Sequence, residues 1–392
     1  MTNRRRFLSG SLAAGLTAAA ARPAVAQVFQ GGTSPLTNPV QVGVMGPFTG
    51  PDHVFGEQMA DGVRQAFDET NRNASIFQRA LQFRTYDDLD DVGVAQQVAQ
   101  FAAGDGVTAA IGHLRADTTE FSLRIYYENR VPLLVPTVTA DGVTAKNYDV
   151  IFRLPTRDTD EGILGARDVG GTMKASSVVV VSQPIAYGPA VAAGFLQAFN
   201  AGKGASAVQV IVDFEKPDFP AAVTEIAAHS PQVVYFAGMS PRLGPLLGAL
   251  RSAGYTGAFA ASQGFWNETT LQKYAKDGEG MIASTSMPPL DLAPQVHFDL
   301  DAYQSRYGRI TPIAAFCYAA AQIISQAAGA AGSVSRTTLR PAIAQGSFNT
   351  LVGAFRFTAQ GDPLEPNLYF YELHGGQWIY RRAARNTGFL IK

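Results

Sequence analysis

Short β-branched runs alternate with helix-patterned segments along most of the chain, and this alternation restricts the fold more than any other feature. Strands are expected at VQVGVM (40–45), LQFRTY (81–86), VTAAI (107–111), PLLVP (132–136) and VIFRL (150–154). More are expected at SVVVV (177–181), VQVIV (208–212), QVVYF (232–236) and GAFAA (257–261). Between them apolar residues recur at helical spacing, as in Met59, Val63 and Phe67, or Leu243, Leu246, Leu247 and Leu250. Val178 to Val181 are apolar on both faces, which suits the central strand of a parallel sheet covered by helices on each side. The repeating strand–helix order predicts an α/β class with open, doubly wound parallel sheets.

Residues 1–26 do not belong to that pattern. Arg4, Arg5 and Arg6 precede an apolar run from Phe7 to Ala21, which ends at Arg22-Pro23-Ala24-Val25-Ala26. A charged start, a short apolar stretch and a small-x-small site predict an export signal cut after Ala26. The twin arginine followed by Phe-Leu points to the Tat type. The run is shorter than the ~20 apolar residues of a membrane span. No later stretch is read as long enough to cross a bilayer. Removing 26 of the 392 residues leaves 366, enough for two domains, since single cores stop growing at about 250–300 residues. Residues 27–39 are polar and contain Gly and Pro, and are expected to form a mobile end.

Four of the 31 basic residues lie in that leader, which holds no acid, so the remainder carries 27 basic against 32 acidic residues. Such a chain has no electrostatic footprint for nucleic acid or an anionic membrane. The single cysteine, Cys317, has no partner for an internal disulfide and sits in an apolar helical pattern. The five histidines show no metal-ligand spacing, and no cofactor motif is present. No Gly-x-Ser-x-Gly elbow or Cys/His pair suggests an enzyme.

In doubly wound sheets, ligands bind beyond the carboxyl ends of the strands. The residues there are Gly46 to Gly50, Gly112-His113-Leu114, Pro136-Thr137-Val138-Thr139, Gln183 to Gly188, Ala237 to Ser240 and Ser262-Gln263-Gly264. Many are small or hydroxylic, as suits a crevice binder or ordinary strand–helix turns.

Several of these segments resemble the leucine/isoleucine/valine-binding proteins, the periplasmic receptors of branched-chain amino acid ABC importers. The matching stretches run in order: VGVMGPFTGPDHVFGEQMADG (42–62), YDD (86–88), IGHL (111–114), VPLLVPTVT (131–139), FRLPTRDTDEG (152–162) and AYGPA (186–190). They continue with PQVVYFAG (231–238), LLGALRSAGYTGAF (246–259) and TLVGAFRFTAQGD (350–362). The resemblance implies a type I periplasmic-binding fold, with two α/β lobes joined by three crossings near 155–158, 286–289 and 364–367. One lobe would combine 40–156 with 287–365, and the other 157–286 with 366–392. The implied function is capture of a small organic solute between closing lobes for an inner-membrane ABC permease, by a monomer working in the periplasm.

Carried over residue by residue, the resemblance places Thr139 and the Thr137–Val138 backbone on the ligand head group, Tyr187 against the ligand and Asp158 near an α-ammonium. Asp158 equally suits a helix N-cap. Asp117 to Glu120 read as a capping-box variant and His113 as packing. Other positions depart from the pattern. Ala116 stands where relatives carry a carboxylate-binding serine, Gln263 where they carry a glutamate, and Phe55 and Met239 where they carry tyrosines. Phe55, Met239, Phe265 and Trp266 suit either an apolar pocket wall or core. The changes open two alternatives: a receptor for a neutral amide, urea or aromatic acid, and a ligand sensor without a transport role. Many relatives join by a disulfide the positions that hold Asp90 and Arg115 here, so a salt bridge is expected between these two.

Overall fold

The computed structural model describes residues 27–29, 39–73, 79–215, 219–239, 242–265, 276–290 and 300–385. The export signal and Trp266 lie outside the described residues.

The first sheet contains β1 (Gln27–Phe29), β2 (Val40–Gly46), β3 (Leu81–Asp87), β4 (Ala109–Ile111), β5 (Leu133–Val135) and β6 (Ile151–Arg153). Its order is β1-β3-β2-β4-β5-β6, parallel except for β1, which pairs antiparallel with β3. The expectation of a mobile end at 27–39 is corrected there, because Gln27 to Phe29 add an edge strand opposite Thr85 to Phe83. The second sheet takes β7 (Ser177–Ser182), β8 (Ser206–Ile211), β9 (Val233–Ala237), β10 (Ala258–Ala261) and β11 (Ile282–Thr285). A small hairpin of β12 (Phe348–Thr350) and β13 (Gly353–Phe355) follows, then β14 (Asn367–His374) and β15 (Gln377–Arg385) complete the second sheet. Its order is β15-β14-β11-β10-β9-β7-β8.

Both sheets reverse winding direction once, between β2 and β4 in the first and between β7 and β9 in the second. At such a point successive connections leave on opposite faces, and a crevice opens beyond the strand ends. Val179 and Val180 are fully buried on opposite faces of β7, as a doubly covered strand requires.

The helix Pro312–Ala331 lies along the helix His53–Asn73 in the first lobe. A Cβ on Gly62 would come within 2.1 Å of the Ala314 carbonyl oxygen, so the two backbones can meet this closely only at a glycine. The 20-residue Pro312–Ala331 helix is long and apolar enough to cross a membrane by length and composition, which corrects the sequence reading. Most of its surface is core of the first lobe, with Cys317, Ala320, Ile323 and Ile324 fully buried.

The chain passes from β6 into the helix Asp158–Gly171 beside the second sheet, and returns after β11, where Met287 joins the first-lobe core. The β12–β13 hairpin packs in that same core before β14 returns to the second sheet. β14 and β15 turn on Gly375 and Gly376, with φ of +57° and +77°, a geometry that two glycines adopt without strain.

Candidate functional site

A cavity of about 230 Å³ lies where the two lobes meet. The first lobe contributes Pro136, Thr137 and Thr139 from the loop after β5, with Pro312, Ile313 and Phe316 from the start of its long helix. The second contributes Tyr187, Met239, Gln263 and Gly264, all just beyond strand ends. Thr285 lines it from the end of β11, and Pro155, Ser286 and Met287 from the segments that follow β6 and β11. The wall is mainly apolar, with a few placed polar groups, the usual composition of a small-molecule site.

The loop carrying Thr137 and Thr139 is held from behind. The Thr137 hydroxyl donates to the carbonyls of His113 (3.1 Å) and Leu114 (2.8 Å). His113 is itself buried between Asp88 (2.7 Å from Nδ1) and the Tyr126 hydroxyl (2.9 Å from Nε2), a packing role. Val138 is core. The Thr139 carbonyl accepts from the Asp158 amide at 3.1 Å and from Arg153 at 2.8 Å. Arg153 is fully buried, and its other nitrogens reach Asp362 (2.9 Å) and Thr144 (2.6 Å). Burial pushes the Arg153 guanidinium down from its ordinary value, and Asp362 opposes the shift.

Asp158 is the first residue of its helix, not the cap. The cap position is Arg157, whose side chain makes no capping bond. This corrects the N-cap alternative. One Asp158 carboxyl oxygen is buried without a hydrogen-bond partner. Burial pushes the Asp158 carboxyl up to about 7, against a hydrogen bond from Thr139 that pulls it down. Asp117 likewise is no cap: Arg115 holds that position, and Asp117 accepts from the next amide, Thr118.

Glu161, three residues into the same helix, is fully buried. It accepts from the Gln263 amide (2.6 Å), Gln263 Nε2 (3.0 Å), the Ser284 hydroxyl (2.8 Å) and the Tyr187 hydroxyl (2.8 Å). Burial pushes its carboxyl up, and these four donors pull it back.

Of the residues singled out from sequence, Thr137, Thr139, Tyr187, Met239 and Gln263 come together on the cavity wall. Asp158 sits behind Thr139. Ala116 is half-buried against first-lobe core, at the start of the helix Ala116–Glu128. Phe55 is 39% exposed in the first turn of the helix His53–Asn73 and is not among the cavity-lining residues. Phe265 is core. Sequence reasoning missed Glu161, Arg153 and the wall from Pro312 to Phe316. The Thr311-Pro312 pair, a cap followed by proline at the first helical position, marked that helix start. Glu161 carried no such signal, since an acid in a first helical turn is ordinary.

Two sheets of this winding, facing each other across a shared cleft, define a bilobed binding protein. The family model described as "Periplasmic binding protein" matches residues 39–377, and the chain belongs to that family. The leucine-, isoleucine-, valine-, threonine- and alanine-binding protein of Pseudomonas aeruginosa is 25% identical over 336 residues, covering 86% of this chain and 90% of the relative. The crystal structure of a putative branched-chain amino acid ABC transporter from Rhodospirillum rubrum superposes with a TM-score of 0.78 at 25% identity, covering 88% of this chain and all of that one. A solute-binding protein from R. palustris in complex with benzoate shares the fold, with a TM-score of 0.68 at 21% identity over 88% of this chain and 95% of that one.

Proposed function

We propose that this chain is the solute-binding component of an ABC importer, capturing a branched-chain amino acid or a related small organic solute between its lobes. The observation that carries the proposal is the cavity of about 230 Å³ bounded by both lobes and their connecting segments. Lobe closure over a bound solute would present one shape to an inner-membrane permease. In this reading the lobes are 40–156 with 287–365 and 157–286 with 366–392. The ligand set is Thr139, the Thr137–Val138 backbone, Tyr187 and Gln263, with Asp158 as the acidic group behind Thr139. The protein acts in the periplasm after removal of residues 1–26, as a monomer with no catalytic step of its own.

A second reading, a receptor for an aromatic acid or amide, is favoured by the wall of Met239, Met287, Ile313 and Phe316. It is also favoured by the absence of an acid at Gln263 on that wall. Calorimetry with leucine, isoleucine, valine, benzoate and benzamide at pH 5.5 and 8 separates the two. A solute with an ammonium group gains from an ionised Asp158 and binds tighter at pH 8. An anionic acid without one binds tighter at pH 5.5. No binding by any of the five at either pH would sink both readings.

A further inference from the structure

The lips of the cleft bond within their own lobes. Phe48 and Thr49 hold to Asp87, and Asp52 to Arg115, in the first lobe, while Met239 holds to Gln183 in the second. Met239 is 50% exposed on the cavity wall, so the cleft stands open. A polar bond between the lobes is made instead beside the first crossing. There the Thr159 hydroxyl donates to Asp141, which follows closely on Thr139 of the cavity wall.

Each partner is fixed to its own lobe. Thr159 lies in the first turn of the helix Asp158–Gly171, which meets the helix Tyr187–Asn200 backbone to backbone: a Cβ on Gly194 would come within 2.1 Å of the Thr159 carbonyl oxygen. Asp141 precedes the short helix Gly142–Ala145, in which Val143 is first-lobe core and Thr144 donates to Asp362 at 2.9 Å. One Asp141 oxygen takes the Thr159 proton, and the other is buried without a hydrogen-bond partner. Threonine and aspartate are short side chains with few rotamers, and a hydrogen bond weakens steeply with distance and angle. Two such groups on rigid supports bond in one relative orientation of the lobes and part when the lobes turn.

We propose that Thr159 and Asp141 form a catch that holds the lobes open. Closure over a solute has to break it. The bond therefore sets what fraction of the free protein is open and, through that fraction, the apparent affinity, although neither residue touches the solute. This inference rests on the receptor function proposed above and gives it a control on lobe closure.

The test compares Thr159→Val, which keeps the shape and removes the donor, with Thr159→Ser, which keeps the donor. Spin labels on the exposed positions Gln97→Cys in the first lobe and Glu225→Cys in the second report lobe separation with no solute present, and Cys317 is buried and stays unlabelled. Calorimetry with leucine, isoleucine, valine, benzoate and benzamide reports affinity. In Thr159→Val the solute-free label distances should gain a second population that the parent lacks. Any of the five that binds should bind about tenfold tighter, the effect of removing a charge-assisted bond from the open state alone. Thr159→Ser should match the parent in both respects. A merely structural bond would lower the melting temperature of Thr159→Val and nothing more. Unchanged solute-free distances, or an affinity that stays level or falls, overturns the catch and leaves the receptor function standing. If none of the five binds, the receptor function fails, and the solute-free distances alone decide the catch: a second population in Thr159→Val upholds it, and the parent's distribution overturns it.

Discussion

The Arg115 guanidinium donates through Nε to Asp90, joining the loop after β3 to the loop after β4. A terminal nitrogen of the same group reaches Asp52 at 2.7 Å. The expected ionic link is therefore present, and Arg115 serves two acids where one was foreseen. Its side chain is 48% exposed, so solvent screens the pair. Arg115→Ala should cost less than about 1 kcal/mol in urea unfolding. A larger loss would mean that the link organises the loops and does more than decorate them.

Asp158 should make stability depend on pH in an unusual direction. Its folded-state carboxyl titrates at about 7, above its ordinary value of 3.8. Between those values the folded state holds a proton that the unfolded state has lost. The stabilisation is thus greatest at acid pH and drains away as pH rises to about 7, then stays level. Asp158→Asn should remove this slope and raise stability at pH 8 by on the order of 1–3 kcal/mol, at the expense of binding any ammonium-bearing solute. Denaturation midpoints at pH 5, 6, 7 and 8 for the two proteins check it.

Arg153 ties the loop of Thr139 to Thr144 and to Asp362, which lies between β13 and β14. Arg153→Ala would strand a buried carboxylate and several buried acceptors. A loss of about 3–5 kcal/mol is expected, enough to lower the yield of folded protein markedly. A variant that melts within a few degrees of the parent would show that water replaces the guanidinium.

Tyr187→Phe isolates one bond in the Glu161 cluster. It removes a donor from Glu161 and the acceptor of the Gly264 amide. The ring stays, so packing is preserved. A loss of about 1–3 kcal/mol in chemical denaturation is the expected outcome.

Export is tested separately. Mass spectrometry of the secreted chain should find Gln27, or its cyclised form, at the N-terminus. Replacing Arg4 and Arg5 together by lysine should block transport. Undiminished export of that double variant would remove the Tat reading.

The nine strands read from periodicity all correspond to strands β2 to β10, within a few residues at their ends. Apolar runs covered on both faces leave little freedom, since any other arrangement would expose them to water. The strands that were missed, β1 and β11 to β15, are short, edge-placed or rich in polar residues, and their pairing depends on partners distant in sequence, as Ile282 with Glu372, or on a glycine turn. The Pro312–Ala331 helix illustrates the same limit. Its composition suits a membrane as well as a core, and only its packing against the helix His53–Asn73 settles which it meets.

The sequence by itself determined the α/β class, the winding of strands and helices, and the turns that could face a ligand, because these follow from local periodicity and from where backbone must leave a sheet. Only the tertiary structure decided what those turns present. Glu161 comes from the helix after β6 yet organises Gln263, beyond β10, and Tyr187, beyond β7. Arg153 reaches a carboxylate 209 positions away. Burial turns Asp158 from an ordinary helix-start acid into a group poised near neutrality. Charge state and hydrogen-bond direction depend on what surrounds a side chain in space, and no local spacing encodes those surroundings.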